Sequence, residues 1–464
     1  MSTHHTLQPP AKAGRQTPAR RNRSEHPNPG RAALRGGIFG YYADQFDIYL
    51  PIITLAPALI YFQPPEMDKA TSAMIAAFVF ASTLVARPLG SAIFGHFADK
   101  FGRHKLTLVA LAGFGLATFG IALLPGYQTV GGLAVVLLIL LRFLGGVFLG
   151  GEYSTAVPLA MEWTPKKRRG LASGLITATN PLANATIAVL TFVLLLIMPA
   201  GSVDSPYVQW GWRIPFVIGG LLAVVVFFYY LRNVEEAPAF ESTAPKVSPV
   251  RALFFGEHRR SLFQVFILMT GMWFLTNVAA AILPATLKGA VGVPDKSVSV
   301  IMLIASLVTM GGFLAAAVLS QKIGRRRFYM GFGIAALPIA GLAFVLLLNT
   351  PAENLVTVTV LAVIIDVFTI SAFGPIAAYL TERFPAAIRA SGYGIGYSFA
   401  LIIPAFYAFY QSGLSAVMPA AYTPVVLIVI GGLLLAFGAY LGPETRDVDM
   451  NATTEPATHD GTLA

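Results

Sequence analysis

The chain has 464 residues, a net charge of +10 and no cysteine; 56% of it is hydrophobic and 12% charged. Globular domains carry roughly 25% charged residues, so the composition is that of a polytopic membrane protein with little soluble mass. Disulfides and thiol-held metals are excluded, and the basic residues sit at helix ends rather than on one soluble face, which argues against nucleic acid.

Residues 1–34 are polar, basic and Pro-rich without an apolar core, and read as a disordered cytoplasmic tail. Twelve apolar segments follow, over 35–62, 72–97, 105–125, 131–162, 168–199, 212–232, 259–288, 296–321, 327–348, 354–382, 388–413 and 421–442. Each reaches the roughly 20 residues needed to cross hydrocarbon. The expected fold is all-α, with a six-helix bundle over 35–232 and a second over 259–442. A polar cytoplasmic loop over 233–258 joins them, and 443–464 forms a C-terminal tail. With the N-terminus inside, 26 of the 32 Lys and Arg residues fall on the cytoplasmic side. Lys69, Arg213, Lys288 and Lys296 lie outside, and Arg87 and Arg142 within the membrane. This bias places both termini in the cytoplasm.

The halves repeat weakly. Glu162, Pro165 and Arg169 precede Glu382, Pro385 and Arg389 by 220 positions, and Gly102-Arg103 precedes Gly324-Arg325 by 222. Two related halves with substrate at their interface is a recurrent transporter plan.

The loop after the second segment reads Gly95-His-Phe-Ala-Asp99-Lys-Phe-Gly102-Arg103-His-Lys105. Gly95 suits close helix approach, Gly102 a tight turn, and Asp99 a helix N-terminus or a basic partner. This stretch resembles the signature loop of the major facilitator superfamily. Ala86-Arg87-Pro88-Leu89-Gly90, Gly151-Glu152-Tyr153, Arg168-Arg169-Gly170, Glu235-Glu236-Ala237-Pro238-Ala239-Phe240 and Pro443-Glu444-Thr445 resemble its metabolite:proton symporter branch, close to the sugar porters. That branch carries Glu where Asp44 stands and Gln where Gly145 stands, and the second-half loop has Gln321 in place of its acid. The antiporter signature is absent from the fifth segment, where Asn180-Pro181 stands.

Six charged residues lie in apolar segments: Asp44, Asp47, Arg87, Arg142, Glu152 and Asp366. Intramembrane charge costs about 2.5–3.5 kcal/mol per residue or more. Four acids face two bases, so two acids are left without a fixed cation, which favours a proton-coupled device. Helix depth suggests a midplane group of Asp47, Arg142 and Asp366, and an inner group of Asp44, Arg87 and Glu152. Asp47 is the first choice for the proton carrier, ahead of Glu152 and Asp366; the alternative is static ion pairs. Arg142 either binds a substrate carboxylate or stays paired and tunes the carrier. Asn180 and Asn184 serve a cavity or helix packing. Tyr41, Tyr42 and Tyr49 line the path or anchor at the interface, and Trp273 and Asn277 rank behind them. Gly145, Gly146, Gly150 and Gly151 serve close helix packing. Gly95, Asp99, Gly102, Arg103, Glu162, Arg169, Glu382 and Arg389 are the expected cytoplasmic gate, holding an outward-open state.

The expected function is a secondary active transporter of the inner membrane, importing a small polar metabolite with protons by alternating access. The branch resemblance implies an organic acid or a zwitterion. A uniporter or exporter of the same fold is the alternative, and a non-transporting receptor stands further off. With no P-loop and no zinc-type His cluster (His4 and His5 lie in the tail), no enzyme, cofactor or metal is expected. The protein is expected to be a monomer.

Overall fold

The structure is a computed structural model that describes residues 28–64, 66–237 and 248–450, and these contain helices and no strand. Eleven helices are long and apolar enough to cross a membrane, and a bent pair makes a twelfth. They are α1 (Pro29–Thr54 with Ala56–Phe62), α2 (Lys69–Phe101), α3 (Arg103–Ala122), α4 (Leu133–Glu162), α5 (Lys166–Ile197) and α6 (Tyr207–Asn233). The second set is α7 (Arg259–Val291), α8 (Asp295–Ile323), α9 (Arg325–Leu348), α10 (Leu355–Arg383), α11 (Ala386–Leu414) and α12 (Ala420–Tyr440).

Two boundaries differ from expectation. The first helix starts at Pro29, not residue 35, because Asn28 caps it by accepting from the Arg31 amide at 3.2 Å and Pro29 occupies its first turn. It then bends by 73° at Leu55. The central loop holds a short helix, Pro249–Phe254. The rest of the expected N-terminal tail, residues 238–247 of the loop and 451–464 of the C-terminal tail lie outside the described residues.

Glycine shapes both signature turns. Gly102 between α2 and α3 has φ 103°, and Gly324 between α8 and α9 has φ 101°, a region open to glycine without strain. The acid after the last helix of each half caps the third helix of that half. Glu236 accepts from the His104 amide at 3.0 Å, and Glu444 accepts from the amides of Arg325 and Arg326 at 2.8 and 3.2 Å. The repeat is therefore physical: each half ties its closing segment to the N-terminus of its third helix.

Within the first half α4 packs on α2, α3 and α1; within the second α12 packs on α7 and α9. Small residues on α4 set the first of these distances. A Cβ at Gly146 or Gly150 would strike the backbone of Thr83 or Arg87. Between halves, α2 runs along the stretch of α11 from Arg389 to Phe399, and α5 along α8. The remainder of α11, Ile402–Ala405 and Tyr407–Leu414, packs on α7 and α12 of its own half. The halves thus meet at the end that carries Lys166–Arg169 and both described termini, called the basic end below. Toward the other end α2 and α11 make no comparable contact.

Candidate functional site

Four layers of polar and aromatic groups run from the interior of the first half to its junction with the second. The layer furthest from the basic end is the pair Asp47–Arg142, from α1 and α4. Arg142 Nη1 donates to Asp47 Oδ2 at 2.8 Å, and Thr118 Oγ1 donates to Oδ1 at 2.9 Å. Arg142 also points both terminal nitrogens at the Asp47 carbonyl, at 3.5 and 3.4 Å. Both carboxylate oxygens of Asp47 are taken.

The second layer is Asp44–Arg87. Arg87 Nη2 donates to both oxygens of Asp44, at 2.5 and 2.7 Å. Gln45 Nε2 adds a third bond at 3.0 Å. From here a chain of neutral groups leads away: Gln45 accepts from Asn180, and Asn180 Oδ1 accepts from Tyr49 at 3.2 Å. Asn184 stands beside the Tyr49 hydroxyl. Gln45 was not among the expected site residues. It is the joint between ion pair and amides, and its place one residue after Asp44 was its only sequence signal.

Glu152 lies beside this layer. It is 1% exposed, and neither carboxylate oxygen has a hydrogen-bond partner among the described residues. Gly40 makes room for it, because any side chain there would strike Glu152 Oε1. Asp44 and Arg87 are the charges it feels. Arg87 Nε is equally without an acceptor. A free acceptor and a free donor therefore sit around one ion pair.

Asp366 does not join the midplane group, which is a correction to the depth argument. It projects from α10 toward α8, where Thr309 Oγ1 donates to its Oδ2 at 2.6 Å. The helix α10 stands in the other half, and Asp366 lies near enough to Tyr49 of the first half to act on it electrostatically. Both arginines pair with acids of α1, so Glu152 and Asp366 are the two carboxyls without a cation.

The third layer is aromatic. Tyr153 stacks obliquely on Tyr397 and Tyr393, with ring centroids 4.2 and 4.9 Å apart, and on Tyr41 at 5.7 Å. The Tyr393 hydroxyl donates to that of Tyr153 at 2.7 Å. Trp273 donates to the Tyr397 carbonyl at 3.0 Å, and Asn277 to that of Pro404 at 2.7 Å. Tyr41 is buried here rather than lining an open path, whereas Tyr42 lies half-buried by Phe46. Tyr393 and Tyr397 escaped the sequence reading because tyrosines in apolar helices carry no motif.

The fourth layer, at the basic end, ties the halves by a twofold exchange. Asp99 at the end of α2 accepts from the amides of Ala390 and Ser391 at 3.0 and 2.9 Å, on the first turn of the α11 stretch. In the second half Gln321 does the same, accepting from the Gly170 amide at 2.9 Å. Glu162 bonds Arg103 of its own half and Arg389 of the other. Glu382 bonds Arg325 of its own half at 3.3 Å and stands 4.0 Å from Arg169 of the other. Each acid thus pairs across, not with the arginine that follows it in sequence. A Cβ on Gly95 would come 2.8 Å from the Ser391 Cα, so glycine permits this contact. The C-terminal segment closes over it: Val448 O accepts from Arg169 at 2.7 Å and Met450 O from Arg389 at 3.2 Å. Arg325 was missing from the expected gate although the repeat pairs it with Arg103.

This architecture has known counterparts. The chain matches the Major Facilitator Superfamily over residues 38–408. The chain belongs to that superfamily. An alpha-ketoglutarate permease of Escherichia coli is 31% identical, over 79% of this chain and 83% of its own. The inner membrane metabolite transport protein YhjE of the same organism is 29% identical, over 80% and 84%. Its proline/betaine transporter is 27% identical, over 86% and 81%. Among solved structures the proton:xylose symporter XylE bound to 6-bromo-6-deoxy-D-glucose superposes with a TM-score of 0.69, covering 89% of this chain and 94% of that one at 17% identity. The superfamily member described here is a multi-pass membrane protein and a secondary transporter of small metabolites.

Proposed function

We propose that the protein imports a small carboxylate-bearing metabolite, an organic acid or a zwitterion, together with protons across the inner membrane. Its basic end faces the cytoplasm by the positive-inside rule. The halves are joined at that end, and α2 and α11 make no comparable contact at the other, which is the geometry of an outward-open state. The observation that carries proton coupling is the pair of buried carboxyls, Glu152 and Asp366, left without a cation after both arginines pair. A carboxyl in apolar surroundings is costly to ionise and readily holds a proton.

Glu152 replaces Asp47 as the leading proton carrier. Asp47 has both oxygens committed, so it acts as a fixed tie between α1 and α4. Loss of the proton from Glu152 creates a second carboxylate beside Arg87, whose free Nε offers it a bond. Asp44 and Glu152 then compete for one guanidinium, and α1 shifts against α4. Such a two-position element is what couples a local charge change to a global switch.

Substrate enters between Tyr49, Asn180 and Asn184 on one side and Asp366 on the other. The relatives named for alpha-ketoglutarate and for proline and betaine transport differ in charge, but those ligands share a carboxylate. Neutral donors on Tyr49 and the two asparagines suit that group. Arg142 stays with Asp47 and tunes the site rather than clamping substrate. The test is uptake of labelled alpha-ketoglutarate, proline and glycine betaine into proteoliposomes, with and without an inward proton gradient. Accumulation of one of them only under the gradient supports the reading. Gradient-independent equilibration of one compound would make the protein a uniporter.

A further inference from the structure

A groove of about 470 Å³ opens at the basic end between α7, α11 and the Pro249–Phe254 helix. Its walls are apolar: Leu262, Phe263 and Phe266 on α7, Ile395 and Phe399 on α11, and Phe254 across the mouth. Its rim carries Arg259 and Arg260. Both arginines are exposed, and neither side chain has a hydrogen bond or an ion pair among the described residues. Arg251 on the linker helix is likewise exposed and unpaired. The nearby acid, Glu257, is already engaged with His258 at 3.4 Å.

Spacing orders these groups along one line. Arg259, Phe263 and Phe266 follow at i, i+4 and i+7 on one face of α7, about 10 Å from charge to groove interior. Ile395 and Phe399 face them at i, i+4 on α11. Phe254, Phe255 and Phe263 are 40%, 83% and 63% exposed beside the basic rim. Aromatic side chains at helix ends next to Lys and Arg sit at headgroup level in a bilayer.

We propose that this groove is a binding site for an anionic phospholipid of the leaflet at the basic end. The phosphate is held by Arg259 and Arg260, with Arg251 facing the headgroup, and one acyl chain lies between α7 and α11. Charge complementarity selects an anionic headgroup, because the rim presents unpaired guanidinium groups while the walls exclude any polar occupant. Guanidinium forks match phosphate oxygens bidentately. The lipid would brace the linker helix, which joins the two halves, against the one stretch of α11 that the first half also grips.

The test places a fluorescent reporter in the groove as Phe263→Trp and measures its quenching in bilayers by brominated phosphatidylglycerol and, separately, brominated phosphatidylcholine. The parent protein's signal is subtracted for its four native tryptophans. The expected apparent affinity ratio favours phosphatidylglycerol by about fivefold or more, the attraction typical of a basic residue at an anionic surface. In Arg259→Ala/Arg260→Ala the ratio should fall to about one, and in Arg259→Lys/Arg260→Lys it should be largely retained because ammonium still meets phosphate as a point charge. A reporter at Leu116→Trp, on α3 and about three helical turns from the nearest basic residue of its helix, should show no preference. Equal quenching by both lipids at Phe263→Trp overturns the proposal. So does a preference that survives the alanine pair, or protection from both lipids, which would mean that protein already fills the groove.

Discussion

At the scale of single residues, what distinguishes the four membrane acids is their commitment. Asp47 and Asp44 each spend both oxygens on an arginine and a neutral donor, Asp366 meets one threonine, and Glu152 has no hydrogen-bond partner among the described residues. Removing one partner of a buried ion pair leaves the other charge uncompensated, so Asp47→Ala should lower stability by about 3–5 kcal/mol. Glu152→Gln breaks no bond and should leave the melting temperature within about 2 °C of the parent. Melting curves of the two variants in the same detergent check both. A large loss on Glu152→Gln would mean that its carboxylate holds the structure up. The charge count in the sequence was enough to predict two uncommitted acids. It could not say which, since partner choice depends on which face of α1 meets α2 and which meets α4. Asp44 and Asp47 lie at i, i+3 on one helix, yet they reach different helices.

At the scale of elements, the repeat in sequence became a repeat in bonding. The 220- and 222-residue offsets correctly paired Arg103 with Arg325 and Glu162 with Glu382, while the crosswise partners were invisible because the two ends of each bond belong to different halves. Gln321 looked like a missing acid, and it accepts one backbone amide where Asp99 accepts two. A charged acceptor bonds more strongly than a neutral one, roughly 1.5–3 against 0.5–1.5 kcal/mol. Asp99→Ala should therefore loosen the basic end more than Gln321→Ala. The chain has no native cysteine, so a single Ser398→Cys reporter is clean. Its labelling by an impermeant reagent from the basic side should rise about tenfold or more with Asp99→Ala, and less with Gln321→Ala. Equal or reversed effects would deny Asp99 its place in the gate. Element boundaries were legible to within several residues. The early start of α1 and its bend at Leu55 were not, because a cap at Asn28 looked like part of a polar tail.

At the scale of the whole molecule, the two halves are bound to each other at the basic end. The contacts between the halves include amide caps, crossed ion pairs, serine hydrogen bonds, the aromatic layer and the C-terminal segment over Arg169 and Arg389. Deleting the chain from Val448 onward removes one carbonyl acceptor from each of Arg169 and Arg389. Each lost bond to a charged donor is worth about 1.5–3 kcal/mol, so the conformational balance should move toward opening at the basic end. Spin labels at Lys100→Cys and Lys322→Cys, exposed at the basic ends of α2 and α8, would report a longer mean distance in the truncated protein; an unchanged distance would show that the segment only rests there. Twelve spans, two halves and the basic-side bias were all readable from hydropathy and charge. The aromatic layer was not, because its order arises only when α4 and α11 meet.

The account stands or falls on Glu152. The direct measurement is transport in proteoliposomes by the parent and by Glu152→Gln, using whichever labelled carboxylate the parent accumulates. The account predicts that the variant loses accumulation driven by a proton gradient while retaining exchange of labelled for unlabelled substrate, which needs no net proton movement. Gradient-driven accumulation by Glu152→Gln at the parent's level would contradict it.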